Sequence, residues 1–138
     1  MPWGRHIIID ANKCEGSITN LDNINAFITD LCRVGQMQKK GKLIVEEFED
    51  NQYNRERDLV GYSVVQIISL SNITLHINFI SKTVYFDFFT CGELETDKVV
   101  NLFQYYFRPE MIKKIRLDRD AVEYYLPFIP LLNPFGKS

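Results

Sequence analysis

Ser63, Ser71, His76 and Cys91 lie near the middle of the chain, and each carries a group able to attack a carbonyl or move a proton. Ser71 and His76 interrupt the apolar run SLSNITLHINF (69–79), where a buried strand needs neither. A hydroxyl is a weak nucleophile until a base assists it, and an imidazole is such a base. A thiol, with a free pKa of ~8.5, can both give and regain a proton near neutral pH. His76 follows Ser71 by five positions, an odd separation that places the two on opposite faces of an unbroken strand. The strand must therefore bend or break near Ser71. A cut just before Ser71 would free a terminus to swing toward Cys91 and His76. In an uncut chain, Ser71 and Asn72 form a turn between two strands and His76 is a hydrogen-bonded sheet residue.

Alternation puts His76 on one face with Asn72, Thr74 and Asn78, and puts Ile73, Leu75, Ile77 and Phe79 on the other. In the next apolar run Tyr85, Asp87, Phe89 and Cys91 share a face. A hairpin turning on Ser81 and Lys82 sets His76 opposite Asp87 and Asn72 opposite Cys91. Asp87 then orients His76 or the strand rather than reacting.

The elements that must hold these groups are legible from periodicity. RHIIID (5–10) reads as a first strand, and Leu21, Ile24, Phe27, Ile28, Leu31 and Val34 recur at helical spacing between the possible caps Thr19 and Asn20 and the stop Gly35. KLIVEEFE (42–49) reads as a strand and the charged DNQYNRERD (50–58) as a solvated loop. GYSVVQIISL (61–70), NITLHINF (72–79) and TVYFDFF (83–89) follow too closely for intervening helices and should pair antiparallel. Thr96 is placed to cap a second helix burying Val99, Val100, Phe103, Tyr106 and Phe107 and ended by Pro109, and MIKKIRL (111–117) reads as a last strand. The tail YYLPFIPLLNPFGKS holds three of the five prolines, so it packs on the domain or on a partner as neither a regular helix nor a central strand. The order predicts an α+β fold: a two-layer sandwich, with two helices on one face of a mostly antiparallel sheet, in a single domain over 1–138.

Composition narrows the function classes. With 138 residues, 46% of them hydrophobic and 25% charged, the chain can bury a core unaided by disulfides or metal. A net charge of -2 and no basic stripe argue against a nucleic-acid partner. No run approaches the ~18 apolar residues of a membrane span, and no signal peptide opens the chain. Cys14, Cys32 and Cys91 form no C-x-x-C pair, which fits free thiols in a reducing cytoplasm and leaves no zinc site.

GRH (4–6) before an apolar strand, Gly61 with Ser63, Ser71 with His76, and DFFTCG (87–92) together resemble the prokaryotic S-adenosylmethionine decarboxylase proenzymes. The match runs without a gap from about Gly61 to Gly92; residues 11–60 carry little of it. The resemblance implies a pyruvoyl enzyme that makes its own cofactor. Ser71 would attack the carbonyl of Leu70, turning the amide into an ester, and elimination would leave a pyruvoyl group at the new terminus. Ser63 would polarise that carbonyl, His76 would take the α-proton, and Cys91 would return a proton to the decarboxylated product. The ketone would form a Schiff base with a small-molecule amine substrate, the electron-sink logic of such cofactors. By the same resemblance and by the apolar tail, a homodimer of cleaved protomers is expected, serving spermidine synthesis. Gly4, Arg5 and His6 match the family or simply open a strand, and Cys14 and Cys32 read as bystanders.

The chain departs from the pattern at the substrate. Where the family carries Trp-Pro-Glu, whose carboxylate holds a ribose, this chain has Asn78, Phe79 and Ile80; the position where it stacks an aromatic on adenine falls near Arg57, within NRERD. Tyr53 or Phe79 would have to stack instead. Three readings therefore stand: a diverged S-adenosylmethionine decarboxylase, an arginine or ornithine decarboxylase of the same family, and an uncleaved partner subunit.

Overall fold

The structure, a computed structural model, describes residues 2–122, 133, 135 and 136. Six strands, β1 (Gly4–Asn12), β2 (Lys39–Phe48), β3 (Gly61–Ile68), β4 (Ser71–Asn78), β5 (Thr83–Thr90) and β6 (Met111–Arg119), form one sheet in the order β2-β3-β4-β5-β1-β6. Every neighbouring pair is antiparallel. Helices α1 (Leu21–Val34) and α3 (Thr96–Phe107) cover one face, and a short helix α2 (Gln52–Glu56) joins β2 to β3. This is the expected α+β sandwich.

Period-2 patterning builds the covered face. Ile7, Ile9, Ile73, Leu75, Ile77, Val84, Phe86 and Phe88 all point to the helices and are fully buried. From α1 and α3, Phe27 meets Phe86, Phe103 and Phe107 at ring-centroid distances of 5.1 to 6.0 Å. Burying one such ring stabilises the fold by about 1.5–3 kcal/mol, so this cluster fixes how the helices sit. The Tyr106 hydroxyl of α3 donates to the Asp30 carboxylate of α1, which also accepts from Arg33 at 2.9 Å. Among the described residues no helix covers the opposite face, where Ile115, Leu117, Ile44, Ile67 and Tyr85 are exposed.

The helix ends follow local chemistry. Asn20 caps α1, its side-chain oxygen accepting from the Asp22 amide at 2.8 Å, and Gly35 closes it. At α3 the expected cap is displaced by one: Glu95 holds the N-cap position with no side-chain bond, and the Thr96 hydroxyl is buried without a partner. Arg108, left-handed at φ 42°, ends α3 before Pro109.

Two other expectations change. The stretch 50–58 is not a featureless loop, because Asn51 accepts from the Asn54 amide at 2.8 Å and nucleates α2. The β4–β5 connection is a four-residue loop, 79–82, rather than a two-residue turn, since Asn78 pairs with Thr83 and the Phe79 amide bonds the Val60 carbonyl at 2.8 Å. The register therefore slips by two, so His76 faces Tyr85, Thr74 faces Asp87 and Asn72 faces Phe89. A slip of two preserves which face each side chain occupies. The apolar tail lies almost wholly outside the described residues.

Candidate active site

The β3–β4 hairpin carries the chemistry at two places. At its open end Gly61 has φ 154°, and a Cβ there would lie 1.8 Å from the Ile77 carbonyl oxygen, so only glycine lets β3 lie against β4 at this point. Two residues on, Ser63 sits directly across from His76, and Ser63 Oγ lies 2.9 Å from His76 Nδ1. The pair opens onto a cleft of about 360 Å³ on the helix-free face, walled by Phe48 and Tyr85 and edged by Arg57, Asp58 and Asn78. A hydroxyl bonded to an imidazole is a general acid–base unit, with one atom placed to donate and its neighbour placed to take a proton.

At the closed end Ile68 pairs with Ser71, leaving Ser69 and Leu70 as the connection. Ser69 is pinned to Gln38 twice: its amide donates to the Gln38 carbonyl at 2.8 Å and its Oγ accepts the Gln38 amide at 3.0 Å. Ser71 has φ 149°, a conformation L-residues rarely adopt and one that stores roughly 1–3 kcal/mol. The Leu70 carbonyl accepts the backbone N–H of Cys91 at 3.0 Å. The Cys91–Gly92 backbone is itself held: the Gly92 amide donates to Thr90 Oγ1 at 2.9 Å, and the Arg5 guanidinium donates to the Gly92 carbonyl. A strained residue follows a carbonyl already polarised by a fixed N–H, which is the arrangement an acyl shift needs.

The structure thus brings Ser63 to His76, and Leu70 and Ser71 to Cys91, but does not bring the two groups together in one chain. Five strand residues at ~3.3 Å each separate Ser71 from His76 by roughly 16 Å, and the two point to opposite faces. Asp87 orients His6 rather than His76, with His6 Nε2 2.9 Å from Asp87 Oδ1. That contact depends on β1 pairing with β5, a long-range match that local patterning does not reveal. Sequence reading also missed Asp58, hidden in a charged stretch that gave no signal of a cleft. Cys14 and Cys32 are buried in the core, and burial pushes the Cys14 thiol up to about 11 and the Cys32 thiol above its usual range. Neither takes part in either group. Tyr53 stacks on Arg57, whose guanidinium carbon lies 3.6 Å from the ring centroid, and Phe79 packs edge-on to Tyr62 at 5.0 Å.

A family model described as S-adenosylmethionine decarboxylase matches residues 5–120, which includes every residue of both groups. The chain belongs to the S-adenosylmethionine decarboxylase family. The crystal structure of the adenosylmethionine decarboxylase from Aquifex aeolicus VF5 superimposes with a TM-score of 0.67, covering 92% of this chain and 98% of that one at 17% identity. That likeness shows a shared fold. No curated protein sequence matches. As a member of a decarboxylase family, the chain is read as a lyase, and no described helix is long and apolar enough to cross a membrane.

Proposed function

We propose that this chain is a self-processing, pyruvoyl-dependent decarboxylase of polyamine synthesis, working as a homodimer in the cytoplasm. The observation that carries the reading is the Leu70 carbonyl, bonded to the Cys91 N–H at 3.0 Å and followed by Ser71 at φ 149°. Ser71 Oγ adds to that carbonyl, the C–N bond breaks, and the hydroxyl proton passes to the nitrogen, leaving an ester. The Cys91 N–H supports the oxygen charge that develops during the addition. Loss of the Ser71 α-proton then expels the Leu70 carboxylate, and water replaces ammonia at the resulting carbon to leave a ketone. Ser71 fits this role because the change to a planar carbon removes the backbone strain.

The bases for these steps come from a second copy. Ser63 and His76 lie roughly 16 Å along the strand from Ser71, and they open on a face that no described helix covers. Exposed Ile44, Ile67, Ile115 and Leu117 on that face fit burial against another sheet. Cys91, half-buried beside the Leu70 carbonyl, returns the proton to product. The ketone supplies the electron sink as carbon dioxide leaves.

Family membership favours S-adenosylmethionine as substrate. A second reading, arginine or ornithine, is favoured by Asn78, Phe79 and Ile80 standing where the family's ribose-binding carboxylate is expected. Mass spectrometry of the purified protein tests maturation: the enzyme gives fragments 1–70 and 71–138, the second blocked and reactive toward a carbonyl reagent. A single intact chain would instead indicate a non-catalytic partner subunit. Carbon dioxide release from S-adenosylmethionine, arginine and ornithine ranks the substrates.

A further inference from the structure

We infer that Asp58 is the specificity carboxylate of the cleft beside Ser63 and His76, where it holds a distal ammonium or guanidinium of the substrate; this rests on that cleft being the decarboxylase site and on the arginine-or-ornithine reading proposed above. Asp58 is half-buried and lines the cleft together with the aromatic side chains of Phe48 and Tyr85. Its carboxylate has no hydrogen-bond or ion-pair partner among the described residues. A carboxylate left unpaired at the edge of an aromatic cleft is free to take a ligand cation, and aromatic faces add to that attraction.

The neighbouring guanidinium does not neutralise it. Arg57 also lines the cleft and keeps its charge, but its guanidinium lies over the Tyr53 ring at 3.6 Å and donates to the Tyr53 carbonyl at 3.1 Å, turned to those groups rather than paired with Asp58. The segment is also held in place. Asn54 is buried and donates to the Glu49 carbonyl at 2.8 Å, the Leu59 amide bonds the Asn54 carbonyl at 2.9 Å, and the Asp58 amide bonds the Arg55 carbonyl at 3.2 Å. Asp58 itself takes the left-handed conformation, φ 53°, which aspartate tolerates better than most residues. No group of three metal-ligating side chains occurs among the described residues, so a lone carboxylate with aromatic walls fits an organic cation.

The cleft of about 360 Å³ takes an extended amino acid with a terminal cation. Asn78, across the cleft from α2, donates to Thr83 Oγ1 at 3.1 Å, which leaves its amide oxygen to accept from the same ligand.

The test uses Asp58→Asn and Asp58→Glu in the full chain, with two independent readouts. Titration calorimetry with agmatine, which carries a guanidinium and an ammonium but no carboxylate, reads cation binding without turnover. Asp58→Asn should weaken it about tenfold or more, and Asp58→Glu should retain part of it. Steady-state rates on arginine and ornithine should show KM raised about tenfold or more in Asp58→Asn, with kcat within about threefold and fragment formation unchanged. Equal agmatine binding by wild type and Asp58→Asn overturns the inference, as does binding by neither. Asp58-dependent agmatine binding by a chain that never cleaves would leave the inference standing and remove the decarboxylase reading.

Discussion

The backbone N–H of Cys91 reaches the carbonyl oxygen of Leu70 at 3.0 Å, tying the end of β5 to the bond that precedes Ser71. The contact is between main-chain atoms, so it survives any substitution at position 91 except proline, which has no N–H. Cleavage and turnover should therefore separate genetically at this residue.

Cys91→Ala is expected to mature into two fragments at close to the normal rate while its kcat falls about 10²-fold or more, the usual cost of removing a positioned proton donor. Denaturing gels report the first and carbon dioxide release the second. Thiol labelling of the native protein should modify half-buried Cys91 before Cys14 and Cys32, since burial shields both and raises both thiols. Modification of Cys14 first would contradict the placement of these side chains.

Ser71→Ala should remain one chain of 16.2 kDa, unreactive toward carbonyl reagents and inactive. Appearance of the 71–138 fragment from this variant would exclude Ser71 as the residue that rearranges.

Ser63→Ala and His76→Ala should each slow cleavage, and the way they combine tests the dimer. Ser71→Ala keeps Ser63 and His76, whereas His76→Ala keeps the cleavable bond. Co-expression should let mixed dimers process the His76→Ala chain, with tagged fragments read on a gel. Processing no faster than in His76→Ala alone would place the bases in the same chain as the bond they act on.

Tyr106 and Asp30 give a pH dependence that needs no catalytic assumption. The hydrogen bond to Asp30 leads the causes that raise the Tyr106 hydroxyl to about 12, and the same bond, with Arg33, lowers the Asp30 carboxyl. Raised in the folded state, Tyr106 contributes stability that is complete below its unfolded pKa of ~10 and lost as pH rises through the folded value. Depressed in the folded state, Asp30 contributes above its unfolded pKa of ~3.9 and loses it as pH falls through the lower folded value. Tyr106→Phe should flatten the alkaline arm of a Tm-against-pH curve and shrink the acid arm, where Arg33 still holds Asp30. An unchanged alkaline arm would show that the bond does not form in solution.

Local patterning carried most of the fold. Ile7 and Ile9, Ile73 to Ile77 and Val84 to Phe88 alternate cleanly, and the Leu21 to Val34 stripe repeats at helical spacing, so each element announces its own buried face. The register did not follow, because the Phe79 amide pairs with Val60 rather than closing a tight turn, and no local signal records a bond to another loop. Asp87 was assigned to the wrong histidine for the same reason: its partner sits on β1, distant in sequence. Of the site, the spacing of Ser63, Ser71, His76 and Cys91 was visible, while Asp58 was not, since an acidic residue in a charged stretch looks the same whether it faces solvent or a cleft.

The strand order has a consequence for what a cut can do. Residues before Leu70 supply β1, β2 and β3, and residues after it supply β4, β5 and β6, yet β1 lies between β5 and β6. The two pieces are interleaved like the fingers of clasped hands, so neither can leave without unravelling the other. Halves made separately and refolded together could rebuild the sheet, but on the chemistry proposed for Ser71 they would lack the ketone, because that chemistry starts from an intact link between them.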